Sequence, residues 1–434
     1  MKLRVLWRAP AHLAMIAFAA VFLTHLDLYL EAAGQWPIPM LAVNVCFVVV
    51  IGLVAGTFLQ AAGSAAVRQR VIRLYRANVR VLLPLAMIVV GSFMAAFSKT
   101  AYLEVGPRYV LYPAYTATLF VCSMLLLVPR YRQRWFTVYL FTAFAVTVGG
   151  ILWDVVHPGT FSILPDRAAG FARNPNGGGF LVIALSVGLL SFERVRLFDL
   201  LVLVATTAAA IATLSRGAML LVAFVTMCYA ACVVRSAWKE GVGRVLRVVG
   251  GLGLLVCITG AGTIFLISQR MFASPGSRVD MLLGREQAIG PNESRVELLE
   301  YSIQLARESP IFGYGSGFTA RMAQGPHNMY VSRWLDDGLV GMLSYIWLLL
   351  ALAWTFWKRR YIPGMVFTAV LMAEGFFSHN IYEERAFLIL PGLLLSASFF
   401  AMADIVPAPA ERRLGTIAVT RKPSRQMSPP SLSA

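Results

Sequence analysis

Long apolar runs alternate with short polar segments along almost the whole chain. The stretches 40–59, 109–128 and 248–267 contain no charged residue. A helix needs about 20 consecutive apolar residues to cross a bilayer. The pattern therefore predicts an all-α protein, a polytopic bundle of about twelve transmembrane helices. We place these spans at residues 11–30, 39–61, 81–98, 109–128, 135–153, 178–192, 198–214, 217–234, 248–268, 338–357, 362–378 and 386–403.

Three polar segments are longer than the other connections. Residues 154–177 contain three prolines and run into three successive glycines. Residues 269–337 form a large charged loop between the ninth and tenth spans. Residues 404–434 are rich in Pro, Ser and basic residues, which predicts a disordered tail. We therefore expect one transmembrane domain over residues 1–403, followed by this tail.

The large loop has a helical pattern of its own. Ser294 followed by Glu297 resembles a capping box, and apolar residues then recur at helical spacing, which predicts an amphipathic helix at 295–308. Pro310 ends it, and glycines at 313, 315 and 317 predict a tight turn. A second short helix is predicted to begin near His327 and to lead into the tenth span.

Composition supports the membrane assignment. Apolar residues make up 58% of the chain, charged residues 14%, and the mean hydropathy is +0.70. A soluble protein of this length would carry nearly twice that charge. The five cysteines all fall in apolar spans, so no disulfide framework is indicated. The basic start followed by an apolar run predicts a first span that serves as its own signal anchor.

The net charge of +17 has a topological explanation. Alternate connections, with both termini, hold 25 of the 38 basic residues and five acidic ones, whereas the rest of the chain holds 13 and 16. Such alternation is the positive-inside rule. It predicts an inner-membrane protein with both termini in the cytoplasm, the large loop on the non-cytoplasmic side and anionic membrane lipids as neighbours, and it argues against a nucleic-acid partner.

Several motifs on the predicted periplasmic side resemble those of the O-antigen ligase and O-antigen polymerase superfamily, which are membrane glycosyltransferases of the GT-C type. Residues 327–341 resemble the family's H-N-x9-G-x-x-G signature. Four further elements occur in the family's order, namely R-x-x-G with N-P-N at 167–176, S-R-G at 215–217, an arginine at 295, and P-x-x-G-x-G-x-G at 310–317.

The resemblance implies a metal-independent, inverting glycosyltransferase with no cofactor. Its donor would be a glycan on undecaprenyl diphosphate, a polyprenyl carrier, and its acceptor the lipid A–core or a growing polysaccharide. Within the superfamily we favour the O-antigen ligase that acts on lipid A–core in lipopolysaccharide biosynthesis. The motifs also fit an O-antigen or exopolysaccharide polymerase and a protein O-oligosaccharyltransferase.

Three residues carry the expected chemistry. Arg216 and Arg295 are expected to bind the donor diphosphate, because guanidinium groups stay protonated and bind oxyanions bidentately. Arg216 lies at the predicted membrane boundary, where a diphosphate headgroup would lie. Arg295 lies in the first turn of the predicted loop helix, where free N–H groups also favour anions. His327 is expected to be the catalytic base, since its ordinary pKa of about 6.5 suits proton removal near neutral pH.

The other motif residues have supporting roles. Arg167 and Arg173 either hold the acceptor or brace their loop, and Asn176, Tyr314, Asn328 and His379 are assigned supporting or acceptor-binding roles. Gly338 and Gly341 are expected to permit close helix packing. Asp336 and Asp337 are adjacent rather than alternating, so no metal site is predicted.

A transporter or flippase for the same lipid-linked glycan is the alternative from another class. Transporters tend to show inverted repeats and ionisable groups near the membrane midplane. The sequence shows neither of these, and its polar groups concentrate in the predicted periplasmic segments. We therefore favour the enzyme.

Overall fold

The computed structural model describes residues 8–34, 41–96, 107–128, 133–164, 166–243, 293–322, 325–378 and 385–405, with a few isolated residues between 245 and 253. These residues form α-helices joined by loops and two short 3-10 turns, and no strand occurs among them, which confirms the all-α prediction for this part of the chain. The helices are α1 (Arg8–Phe22), α2 (Leu26–Ala32), α3 (Leu41–Gly63), α4 (Ala65–Ala96), α5 (Pro107–Leu126), α6 (Gln133–Val156), α7 (Pro175–Leu189), α8 (Leu197–Ala212), α9 (Arg216–Trp238), α10 (Glu293–Glu308), α11 (Met329–Lys358), α12 (Ile362–Glu374) and α13 (Arg385–Ile405).

Several of these helices are long and apolar enough to cross a membrane. Within the described ranges, α4, α6, α9 and α11 meet that criterion, and the bent pair α1–α2 makes a fifth candidate. Other apolar helices, α7, α8 and α12 among them, are shorter. The predicted number of twelve spans is therefore not confirmed. The ninth predicted span lies almost wholly outside the described residues, as do residues 269–292 and the tail beyond residue 405.

The first predicted span is two helices rather than one. α1 ends at Phe22, α2 begins at Leu26, and their axes differ by 52°. His25 lies between them with a left-handed backbone, φ 63°, which a right-handed helix cannot contain. The break was not predicted because the apolar run continues on both sides of it.

α4 is much longer than the span predicted at 81–98. It begins at Ala65 and includes Pro84 within its 32 residues. Its first half carries the basic residues between 68 and 80, which are good helix formers but too polar to register as a membrane span. Hydropathy therefore identified only the apolar half of this helix.

α7 lies at the centre of the bundle, packed against α6, α8, α9 and α12. Nearly all its side chains are buried, including Phe180, Leu181 and Leu185. A Cβ on Gly179 would lie 2.7 Å from Cβ of Ala218 on α9, so glycine permits this close approach. The amino end of α7 is thereby held against the amino end of α9.

α4 and α11 form an extensive antiparallel pair. Val340 lies against Gly91, whereas Arg359, just after α11, reaches the carbonyl oxygen of Ala77 at 3.1 Å. α11 spans about 45 Å at 1.5 Å per residue. We call its two ends the His327 end and the Arg359 end.

Candidate active site

Arg216 is the first residue of α9, at the His327 end of the bundle. Ser215 caps this helix, with its hydroxyl accepting from the Ala218 N–H at 3.4 Å. Leu214 adopts a positive φ of 48°, which turns the chain sharply into the cap. The Arg216 side chain is exposed and forms no hydrogen bond or ion pair with a described residue.

Arg167 is buried and braces the neighbouring segments. Its Nε donates to the carbonyl oxygen of Thr213 at 2.8 Å, and its Nη2 donates to Oδ1 of Asn176 at 2.9 Å. It therefore joins its own loop to the end of α8 and the start of α7. Of the two interpretations open from the sequence, these contacts favour the brace for both Arg167 and Asn176.

The loop around Arg173 is held in place by hydrogen bonds from its backbone N–H groups. Asp154 accepts from the N–H groups of Phe161 at 3.0 Å and Ala169 at 2.9 Å. A Cβ on Gly178 would lie 2.3 Å from the carbonyl oxygen of Ala169, which explains a glycine there. Arg173 itself has a positive φ of 61° and an exposed side chain without a hydrogen bond to a described residue. Its side chain thus differs from that of Arg167 in being available to a ligand.

His327 and Asn328 form the entry to α11. Asn328 caps the helix, because its Oδ1 accepts from the N–H groups of Tyr330 at 3.0 Å and Val331 at 3.1 Å. His327 is half-buried, with a positive φ of 47°. Such a conformation is unfavourable for a non-glycine residue and tends to occur at functional sites. Asn328 therefore fixes the backbone on which the histidine is carried.

The turn after α12 connects this entry to Arg216. The carbonyl oxygen of Gly375 accepts from the Met329 N–H at 2.7 Å, and that of Met372 accepts from the Tyr330 hydroxyl at 2.8 Å. Phe377 in the same turn lies under Gly217, 3.6 Å from where a Cβ would stand. This short turn therefore contacts Gly217, which follows Arg216, and Met329, which lies two residues after His327.

A break in α11 ties the large loop to this region. Gly338 has φ 68° and ψ −167°, which interrupts the helix. The carbonyl oxygens of Leu335 and Asp336 accept from the N–H groups of Tyr314 at 2.8 Å and Gly315 at 2.9 Å, and the Leu339 N–H donates to Pro310 at 2.8 Å. The glycine-rich turn therefore replaces helical hydrogen bonds that the break removes.

The expected helix-packing role of Gly338 and Gly341 stays a prediction. A Cβ on Gly338 would lie 2.0 Å from the carbonyl oxygen of Ile311, and one on Gly341 would lie 2.2 Å from Cβ of Asp337. The Gly341 backbone nitrogen also lies 3.8 Å from where a Cβ on Gly91 of α4 would stand. The H-N-x9-G-x-x-G spacing thus sets the position of the break relative to the histidine.

Arg333 was missed by the sequence analysis. It is 3% exposed, and its guanidinium donates to Asp337 at 3.0 Å and Asp336 at 3.2 Å. Asp336 also accepts from the backbone N–H and hydroxyl of Thr319, and Asp337 from the Ser316 hydroxyl. The spacing i, i+3, i+4 of one arginine and two aspartates was the signal. This cluster fastens the loop to α11.

Arg295 lies in the first turn of α10 and is exposed. The helix begins at Glu293, so Ser294 lies inside it and the predicted capping box is wrong, whereas the predicted end at 308 is confirmed. The loop turn anchors the other end of α10, where the Tyr314 hydroxyl donates to Leu305 at 3.1 Å and Glu308 at 3.0 Å. The convergence of Arg295 and Arg216 stays a prediction.

Tyr314 packs within the loop turn, and the pKa of its phenol is raised. Its ring stacks on Phe318 with centroids 4.7 Å apart. Burial, followed by the hydrogen bond to Glu308, raises the pKa of Tyr314 to about 12. The phenol therefore remains a neutral donor at physiological pH.

His379, also assigned from the sequence, lies outside the described residues.

One comparison with known proteins agrees with the sequence motifs. A search of curated proteins found no match. Residues 201–346 match the family model described as O-Antigen ligase, a range that includes Arg216, Arg295 and His327. Together with the apolar helices, this match supports an integral membrane protein. The match over residues 201–346 supports the O-antigen ligase and polymerase superfamily.

Proposed function

We propose that this protein transfers a glycan from undecaprenyl diphosphate to an acceptor hydroxyl at the periplasmic face of the inner membrane. The observation that carries the proposal is the turn at residues 372–378, which touches both Arg216's helix and the entry to α11 at His327. An exposed guanidinium and an imidazole on a constrained backbone are thus supported by one structural element.

Arg216 would bind the donor diphosphate. A cation in the first turn opposes the helix macrodipole, so Arg216 contributes nothing to the stability of α9 as a helix. The same position is favourable if an anion lies there, because the guanidinium and the free N–H groups then attract it together. Arg295, which is exposed, would supply further positive charge toward the same headgroup, whereas the exposed Arg173 would hold the acceptor.

His327 would act as the general base. The acceptor oxygen attacks the anomeric carbon while the imidazole takes its proton. The bond from that carbon to the diphosphate oxygen breaks on the opposite side, and the leaving diphosphate keeps the electron pair. A single displacement of this kind inverts the anomeric configuration. Arg216 would stabilise the negative charge that grows on the diphosphate.

The reaction would need no metal ion. The two adjacent carboxylates near the site, Asp336 and Asp337, are buried and already paired with Arg333. They also accept hydrogen bonds from Ser316 and Thr319. Guanidinium groups would therefore neutralise the diphosphate in place of a divalent cation. Transfer should persist in the presence of a chelator, and strict dependence on added Mg²⁺ would overturn this part of the proposal.

Within the superfamily we propose the O-antigen ligase that acts on lipid A–core. The test is a deletion strain whose surface glycans are separated by size. Loss of a ligase leaves full-length polymer on the carrier lipid and bare core. Core capped with a single unit would assign a polymerase instead. Loss of a capsule or matrix with intact lipopolysaccharide would assign exopolysaccharide synthesis, and loss of glycans from proteins would assign an oligosaccharyltransferase.

A further inference from the structure

A cleft at the Arg359 end of the bundle gathers positive charge. It has a volume of about 680 Å³ and lies where α4, α11 and α13 meet. We call it the cationic cleft, and its basic lining residues are Arg73, Arg76, Arg80, Lys358 and Arg359. The three arginines of α4 recur at helical spacing, so they share one face of that helix.

The charge of this cleft is not compensated within the described residues. No carboxylate occurs among those that line it, and the three α4 arginines and Lys358 form no ion pair with a described side chain. Like charges three or four residues apart destabilise a helix. An anion in the cleft would relieve that repulsion.

Arg359 forms the floor of the cleft and holds three helices together. Its guanidinium donates to Asn78 at 2.8 Å on α4, and to Ser398 at 2.8 Å and the Leu395 carbonyl at 3.0 Å on α13. All these acceptors are neutral. Burial lowers the pKa of Arg359 to about 10, and no carboxylate among the described residues forms an ion pair with it.

An apolar groove continues from the cationic cleft along α11. It has a volume of about 770 Å³, shares Arg80 and Trp354 with the cleft, and is lined further along by Leu350 and Trp347. Trp347 and Trp354 are each 41% exposed, and the Lys358 ammonium lies 4.8 Å from the Trp354 ring centroid. The distance from Trp357 to Trp347 along α11 is about 15 Å, which suits part of an acyl chain.

We propose that the cationic cleft and this groove bind a diacyl phospholipid with an anionic headgroup, in the leaflet opposite the His327 end. The headgroup phosphate lies among the arginines and Lys358, and an acyl chain lies against the exposed tryptophans. The chain's own tail does not fit, because residues 404–434 carry five basic and two acidic side chains. A nucleic acid would leave the apolar groove uncovered.

The test is native mass spectrometry of the full-length protein in detergent with diphosphatidylglycerol, phosphatidylglycerol, phosphatidylcholine or a polyprenyl phosphate. Three proteins are compared, namely wild type, Arg73→Gln/Arg76→Gln, and Arg68→Gln/Arg70→Gln. The last pair lies on the same helix but outside the cleft. It removes the same charge, and glutamine keeps similar helix propensity.

The proposal predicts retention of the two anionic diacyl lipids over phosphatidylcholine. Each cation removed from the cleft weakens binding by on the order of fivefold, so the cleft variant loses roughly twentyfold and the control stays close to wild type. Equal losses in the two variants, or none in the cleft variant, would overturn it. Preferential retention of the polyprenyl phosphate would overturn the assignment to a diacyl lipid.

If the double variant does not fold, a single substitution still tests the proposal. Lys358→Gln leaves the Arg359 contacts intact and should weaken anionic lipid binding by on the order of fivefold. Unchanged binding in this variant would also contradict the proposal. The readout is lipid binding and does not depend on glycan transfer.

Discussion

At the scale of single residues, two arginines that the sequence treats alike have different surroundings. Arg167 is buried and its guanidinium joins Thr213 and Asn176, whereas Arg216 is exposed. Both lie in motifs that contain a glycine, Gly170 and Gly217. Their difference depends on partners from other segments of the chain, which a motif does not specify.

Replacing Arg216 with lysine tests its proposed role. Arg216→Lys keeps the charge but loses the bidentate geometry, so we expect at least a tenfold lower rate of glycan transfer with normal amounts of protein in the membrane. Arg235→Lys, at the other end of α9 and also exposed, is the matched control. Equal transfer rates in the two variants would show that Arg216 does not bind the donor diphosphate bidentately.

The acidity of Tyr314 provides a second test at this scale. Because burial raises its pKa to about 12, the neutral phenol stabilises the fold fully below pH 10, and this stabilisation is lost as the pH rises toward 12. The difference in tyrosinate absorbance between wild type and Tyr314→Phe should therefore titrate near pH 12. A midpoint near pH 10 would show that the hydroxyl is not buried against Glu308.

At the scale of elements, the sequence predicted the loop helix and the tenth span but not the break in α11. The helix found at Glu293–Glu308 ends at the predicted residue, because local periodicity and Pro310 define it. The break at Gly338 depends on hydrogen bonds from Tyr314 and Gly315. These partners are more than twenty residues away, so no local pattern contained them.

Gly338→Ala tests the importance of this break. The added Cβ would lie 2.0 Å from the Ile311 carbonyl oxygen, on a backbone with φ 68° that alanine adopts with strain. We expect a loss of more than about 2 kcal/mol in the free energy of unfolding. Thermal unfolding in detergent measures this.

Gly149→Ala is the control for that substitution. Gly149 lies within α6, with no atom within 4 Å of its added Cβ. Alanine there should leave stability unchanged or raise it by about 1 kcal/mol. If the two variants unfold at the same temperature, the loop turn is not packed against Gly338 as described.

At the scale of the whole molecule, the charge pattern corresponds to two distinct ends. Arg73 and Arg359 lie at one end of the α4–α11 pair, and Arg216 and His327 lie at the other. Hydropathy and charge predicted this separation, because both reflect the bilayer directly. They did not predict the bend after α1, because the apolar run continues across it, or the basic extension of α4, because its residues are too polar to register as a membrane span.

Cysteine labelling tests which end faces the periplasm. We expect Thr160→Cys, in the loop after α6, to react with a membrane-impermeant thiol reagent in intact cells, because it lies toward the His327 end. Lys239→Cys, just after α9, should react only in opened membranes. Both positions are exposed. Labelling in the reverse pattern would place the proposed site in the cytoplasm and contradict the proposed function.

The most direct measurement is transfer by purified protein from a polyprenyl diphosphate donor, with wild type and His327→Ala compared. Loss of a general base lowers the turnover number by roughly 10²–10⁴-fold, and donor affinity should change little because Arg216 is intact. The account predicts that result. Turnover by His327→Ala within a few-fold of wild type would contradict it, because His327 would then not remove the acceptor's proton.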